Sequence, residues 1–446
     1  MNIQGKKVNF RSPKRHSNPF RLLLWGILIV AGFVVMRGYY SGTVKPLFLP
    51  TFTPTRTTNS YALEGDTDFT AGDLEKAIAA YQKATALDPN DGELWAKLAR
   101  IQTYSSISLT TSDEQLARLK EAMASIDHAV SVAPDNSMVH ATRAFVEDWY
   151  ANPVLVGDQV NELLTDADHE VTLALTQDPT NTLALAYRAE ILVDQGRLDQ
   201  AVQSIAQAEQ QDSSLMDVHR IYGYVYESRG EYSQAITEYK KAIEIAPNLN
   251  FLKIRVGKIY RHQQLWDLAL EIFDQAAKQN EQLGINDPIP YLAIANTYIQ
   301  MPQADFRLAE NNVMKALELD PTNPDVYAQL GMVYHSARNY EGSLAAFQCA
   351  LDGCGPALSC QVRNNDEECS DAQANNPAIT VNGMSLTGDT VAYYYTYGSV
   401  LAGLHVSGDN YCTLAMQKLN QVADNFSSDS TIMSIVKAGE DICSGG

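Results

Sequence analysis

No acidic side chain occurs before Glu64, no cysteine occurs before Cys349, and no familiar catalytic motif occurs anywhere. Each absence excludes something. Nine of the 33 basic residues precede Glu64, so 24 bases share the remaining sequence with all 53 acids. A surface that acidic repels nucleic acid and anionic headgroups, so no nucleic-acid partner is expected. The six cysteines offer no C-x-x-C, and no histidine falls between Cys349 and Tyr393, which removes the usual zinc and dithiol arrangements.

The catalytic gaps are equally specific. There is no phosphate-cradling glycine loop, no G-x-S-x-G elbow and no H-E-x-x-H. Asp88, Asn90, Asp91, Gly92 and Glu93 begin as a calcium loop would, but the twelfth position is Ala99 instead of Glu. They read as a turn followed by a helix N-cap. Asp166, Asp168, His169 and Glu170 spread around a helix axis and read as a solvated face. The expectation is therefore no enzyme, no cofactor and no metal.

What is present begins with an uncharged run from Leu22 to Met36. Arg21 and Arg37 can snorkel, and Tyr39 and Tyr40 add an aromatic belt, so residues 21–40 read as a transmembrane signal anchor. Six Lys or Arg precede the run, which orients residues 1–20 to the cytoplasm and the bulk outside it. A cleaved signal peptide is the competing reading, although Arg37 sits where small residues should guide the peptidase. The implied location is the cell membrane, single-pass. Residues 41–57, with Pro46, Pro50 and Pro54 among Thr and Ser, form a semi-extended linker.

Beyond it a rhythm appears. Ala201, Ile205 and Ala208 are echoed by Ala235, Tyr239 and Ala242, then by Ala269, Phe273 and Ala276, with a step of 34 residues each time. That period marks stacked helical hairpins, which expose long concave surfaces. The predicted fold is all-α: a solenoid of about eight to nine hairpins over residues 58–352, preceded by one transmembrane helix. Gly223 and Ala235 are expected to face each other where the two helices of a hairpin cross. Pro247 and Pro321 end second helices.

The pattern resembles the tetratricopeptide repeat family. The fifth unit carries it most fully, with Tyr222, Gly223, Tyr226, Gly230, Ala235, Tyr239, Ala242 and Pro247; the eighth has Tyr327, Leu330, Gly331, Tyr334, Phe347 and Ala350. Pro89, Pro134 and Pro179 lie 45 apart, so units two and three are longer than standard. The excess falls near Tyr104 to Asp113 and Asn152 to Gln159, in turns that usually line one rim.

In that family the first helix of each hairpin lines the groove. The resemblance implies partner contacts from Arg100, Phe145, Glu190, Arg220, Tyr224, Lys258, Asn296 and Met332, with Glu227, Arg261 and His335 a turn further. Arg220, Lys258, Arg261 and His262 then form a basic cluster suited to a carboxylate or an acidic peptide. The chaperone-binding clamp of the family is matched only loosely, because its paired Asn residues are missing.

The rhythm breaks over residues 353–389. A divergent hairpin and a capping helix follow in residues 390–446, built on Tyr394, Tyr397, Leu401, Ala415, Leu419 and Val422, then Ile432, Ile435 and Val436. Cys349, Cys354, Cys360, Cys369, Cys412 and Cys443 all lie at this end and point to disulfides. Six cysteines allow about 15 pairings; Cys360 with Cys369 and Cys412 with Cys443 are favoured. The function implied is a membrane-anchored scaffold that binds a protein or peptide and organises an envelope complex. Alternatives are a permanent subunit of a large membrane assembly, or a helper of a glycosyl transferase or secretion system.

Overall fold

The computed structural model describes residues 18–41, 56–364, 369, 377–405 and 411–445. The basic residues Lys6 to Arg15, the linker prolines Pro46, Pro50 and Pro54, and the turn at Gly408 to Asn410 lie outside the described residues. The chain divides into two compact units, 1–56 and 57–446.

In the first unit, helix α1 (Pro19–Tyr40) begins where the Asn18 side chain accepts from the Phe20 amide and Pro19 presets the first turn. Its 22 residues bury none of their side chains. At roughly 1.5 Å per residue it is about 33 Å long, enough for the hydrocarbon core. Among the described residues it is the one helix long and apolar enough to cross a membrane.

The second unit is a run of helical hairpins. The first three pair α2 (Thr58–Thr70) with α3 (Leu74–Leu87), α4 (Gly92–Ser105) with α5 (Ser112–Val132), and α6 (Ser137–Tyr150) with α8 (Val160–Gln177); the short α7 (Pro153–Val156) sits in the third turn. Next come α9 (Thr182–Asp194) with α10 (Leu198–Gln211), and α11 (Met216–Ser228) with α12 (Tyr232–Ile245). Then follow α13 (Asn250–His262) with α14 (Trp266–Leu283), α15 (Ile289–Gln300) with α16 (Phe306–Leu319), and α17 (Pro324–Ser336) with α18 (Tyr340–Phe347). First helices pack on first helices of neighbouring hairpins, α4 on α6, α6 on α9 and α9 on α11, making an inner wall.

Local chemistry sets these boundaries. Asp91, Asn136, Asn181 and Asn323 cap first helices by accepting from amides one turn in. Asp91 thus does the capping work expected of it. The turn inside the fifth hairpin needs a left-handed residue and uses Gly230 at φ 75°; the sixth uses Gln264 at φ 60° in the equivalent place.

The recurrent alanines Ala201, Ala208, Ala235, Ala242, Ala269 and Ala276 are all fully buried. The three atoms nearest a Cβ placed on Gly223 all belong to the Tyr239 ring, the closest at 2.8 Å, so the aromatic one turn after Ala235 packs directly on the glycine. Gly65, Gly257 and Gly331 meet Tyr81, Phe273 and Phe347 in the same way. The crossing therefore sits one turn beyond the alanine, where glycine leaves room for the flat face of an aromatic ring.

The long turns bridge distant hairpins. In the second hairpin the segment from Ser106 to Thr111 reaches the eighth, where the Thr110 hydroxyl donates to the Asn323 side chain at 3.0 Å. Ser112 donates to Asp389 at 3.2 Å. The first hairpin meets the loop before the sixth, with the Asn248 amide donating to the Thr70 carbonyl at 3.0 Å.

After α18 the chain widens into a π-type turn over Gln348–Asp352, then forms α19 (Pro356–Asn364), a helix the broken rhythm did not announce. A single antiparallel bridge joins Cys354 to Val381. Helices α20 (Val391–His405) and α21 (Cys412–Phe426) make the divergent hairpin, and α22 (Ser430–Ser444) packs on both as a cap. Disulfides join Cys349 to Cys354, Cys360 to Cys369 and Cys412 to Cys443.

Candidate partner-binding cleft

The inner wall has two characters. From the second to the fifth hairpin it is largely filled by its own side chains. Arg100 donates to Asp217 at 2.5 Å and to the Tyr187 hydroxyl at 3.1 Å. Tyr104 and Tyr187 also donate to Asp217. Arg220 grips Glu190 with both terminal nitrogens, at 2.7 and 2.6 Å, and its Nε donates to the Tyr104 hydroxyl at 3.2 Å. Aromatic rings close the space: Tyr104 stacks on Phe251 with centroids 5.4 Å apart, and Phe145 stacks on Tyr187 at 4.6 Å.

This interior is electrostatically settled. Burial alone would raise Asp217, but Arg100 and Arg220 outweigh it and hold the carboxyl below its usual range. Arg220 lies over the rings of Tyr104, Phe145 and Trp149 and is 6% exposed. The expected basic cluster must therefore be corrected. Arg220 cannot meet an acidic peptide, because Glu190 already neutralises it inside the protein. Phe145 is fully buried, Arg100 is only partly exposed and held by Asp217, and Glu190, though it borders the larger hollow, is held by Arg220.

Around the sixth hairpin the wall opens into hollows, the larger of which reaches back to hairpins three to five. Lys258 is exposed and makes no ion pair among the described residues. Its ammonium is pushed below the usual lysine range by crowding in the cleft, then by Arg255 and Arg261. Arg261 reaches the Ala293 carbonyl at 3.5 Å and lies over the Phe273 ring, with no ion pair among the described residues. His262 accepts or donates at the Tyr232 hydroxyl, 3.0 Å away, and shares a shallow hollow with Lys258. Asn296 donates to Gln329 at 2.8 Å, Met332 is half-buried against the core, and His335 lies 5.9 Å from the Tyr340 ring. Glu227 is tied to Arg255 at 2.7 Å and to Tyr239 at 2.9 Å.

Two hollows lie along this cleft, and Ile107 at the tip of the long second turn borders both. The larger is about 600 Å³ and is walled by Trp149, Asp148, Asp194, Tyr224, Phe251 and Lys258, among others. The smaller is about 240 Å³ and includes Lys258, Arg261, Asn296 and Asp325. Tyr224 donates to Asp194 at 2.5 Å, so this predicted groove residue is a wall of the larger hollow.

Sequence reasoning missed Tyr104, Asp148, Trp149, Asp194 and Asp217. The signal was present for four of them. Tyr104, Trp149 and Asp194 stand four places after Arg100, Phe145 and Glu190, and Asp148 stands three after Phe145. At 3.6 residues per turn those offsets return to the same face.

Paired helices stacked on shared alanine and glycine–aromatic contacts, with an inner wall of first helices, define a helical-repeat solenoid. Three repeat models match it: TPR repeat over residues 65–102, and tetratricopeptide repeat over 174–250 and 313–345. The chain belongs to the tetratricopeptide-repeat family, whose repeats mark a protein–protein interaction scaffold. It resembles human tetratricopeptide repeat protein 6, with 25% identity over 177 residues, 37% of this chain and 33% of that protein. Anaphase-promoting complex subunit 3 of Schizosaccharomyces pombe is 30% identical over 133 residues, 29% of this chain and 19% of its own. The chain spans a third or less of the curated relatives it matches. Among solved structures, yeast Tom70 aligns with a TM-score of 0.50 and 14% identity, over 91% of this chain and 79% of that one, a likeness of fold alone.

Proposed function

We propose that the chain is a scaffold held at a membrane by residues 21–40, with its repeats outside the cytoplasm, organising an envelope complex. It binds a protein or peptide partner in the open half of its inner wall, around Lys258, Arg261, His262, Asn296, Met332 and His335. One observation carries this reading: Arg100 and Arg220 of hairpins two and five are matched by Asp217 and Glu190, whereas Lys258 and Arg261 border open hollows and lack carboxylate partners among the described residues. Cations crowded in a cleft are poorly hydrated, and an acidic segment would restore what they lack. Three disulfides support the placement outside the cytoplasm, since thiols stay reduced within it.

The test is co-purification from native membranes. Lys258→Glu with Arg261→Glu should lose the partners that the unaltered chain retains, while both proteins remain equally folded. Identical partner sets would remove the assignment to this cleft.

A further inference from the structure

The larger hollow contains an unmet demand. Asp148 on α6 is 4% exposed, borders the hollow, and neither of its carboxylate oxygens accepts a hydrogen bond from a described donor. Its neighbours are already committed. Arg220 is matched by Glu190 and Arg255 by Glu227, while Asp194 accepts from Tyr224. Lys258 also borders the hollow, yet no described donor reaches the Asp148 oxygens. Burial, and then the charges of Asp194 and Glu190, disfavour the ionised form of Asp148 more than Arg220 favours it, and Asp148 pairs with Asp194 as a carboxyl pair that an added cation would let ionise.

The walls describe the rest of the missing group. Trp149, Tyr224 and Phe251 offer aromatic surface, and Leu164 and Val160 offer aliphatic surface. Aromatic faces attract cations, and aliphatic walls suit a methylene stem.

We infer that this hollow binds a primary ammonium group carried on an aliphatic stem, with Asp148 and Asp194 receiving the ammonium and Trp149, Tyr224 and Phe251 enclosing the stem. Such a group reaches the site either as a free alkylamine or as a lysine side chain presented by a bound protein. This inference does not depend on the acidic-segment reading of the Lys258 and Arg261 region, because it rests on the carboxyls of Asp148 and Asp194, with Lys258 bordering both hollows.

The experiment is isothermal titration calorimetry on the full-length chain in detergent, with n-butylammonium, Nα-acetyl-lysine amide and butan-1-ol as probes. Both cations should give saturable one-site binding, and butan-1-ol, which matches in shape but lacks the charge, should bind at least about tenfold more weakly. Tighter binding of the lysine derivative points to a protein side chain; tighter binding of n-butylammonium points to a free amine. Asp148→Asn should weaken either cation by at least about tenfold. Equal binding of butan-1-ol and n-butylammonium, or no saturable heat from either cation, would overturn the inference using the unaltered protein alone. An Asp148→Asn protein that folds normally and binds as before would overturn it too.

Discussion

Arg220 and Glu190, contributed by adjacent hairpins, meet as a two-pronged pair at 2.7 and 2.6 Å, and both are almost wholly buried. Neither residue faces solvent, although both occupy positions that line the groove in repeats of this kind. The pair borders the larger hollow from its buried side.

Removing one member should be far worse than removing both. Arg220→Met strands the Glu190 carboxylate with only the Trp149 indole donating to it. A buried charge left so poorly matched costs about 3–5 kcal/mol. Arg220→Met with Glu190→Leu should recover most of that loss, because two apolar side chains carry no desolvation penalty. Urea unfolding at fixed pH measures both.

The glycine–aromatic contact makes a second prediction. A Cβ on Gly257 would fall 2.2 Å from the Phe273 ring, and that ring is fully buried with nowhere to retreat. Gly257→Ala should destabilise the chain by about 1–3 kcal/mol through overpacking. Adding Phe273→Leu should return part of the loss. Differential scanning calorimetry of the three proteins decides it.

These two sites show what the sequence carries and what it does not. The alternation of Ala235, Tyr239 and Ala242 is set by contacts within one hairpin, so it repeats and can be read. The ring of Tyr239 as the nearest neighbour of Gly223 was not named, because spacing gives a face but not a height along the helix. Contacts that join hairpins far apart, such as Arg100 with Asp217 or Thr110 with Asn323, leave no periodic trace. Their geometry depends on how tightly the whole solenoid winds. For that reason Arg220 reads as surface in the sequence and is interior in the fold. The cysteine pairs Cys360–Cys369 and Cys412–Cys443 were anticipated, whereas Cys349–Cys354, the shortest at a separation of 5, was not.

Stability should fall as pH rises from about 4.5 to 7, the reverse of ordinary acid denaturation. Burial lifts Glu147 from 4.5 to about 7, and Asp325 from 3.8 to about 6. A group whose folded value is raised binds more protons folded than unfolded, so its contribution is complete below the unfolded value and lost as pH climbs to the folded one. For Glu147, which is 3% exposed, the loss is on the order of 3 kcal/mol. Glu147→Gln should flatten the profile in that window. Denaturant midpoints taken across the range supply the comparison.

Reduction should loosen one end and spare the rest. The Cys412–Cys443 bridge ties α21 to the capping α22 across 31 residues. Closing a loop of that length stabilises by about 3–4 kcal/mol in the chain-entropy account. Replacing both cysteines with Ser should speed amide hydrogen exchange in α20, α21 and α22, with α9 to α12 unchanged. Uniform acceleration throughout would show that the cap is not a separate cooperative segment.

The open half of the inner wall is the feature on which the functional account turns. A photo-crosslinking residue placed at Lys258 or His335, and separately at the exposed Gln210 of the outer helix α10, should be activated in native membranes. The account predicts a discrete adduct with the same partner from Lys258 and from His335, and none from Gln210. An adduct from Gln210 with none from the two cleft positions would contradict it.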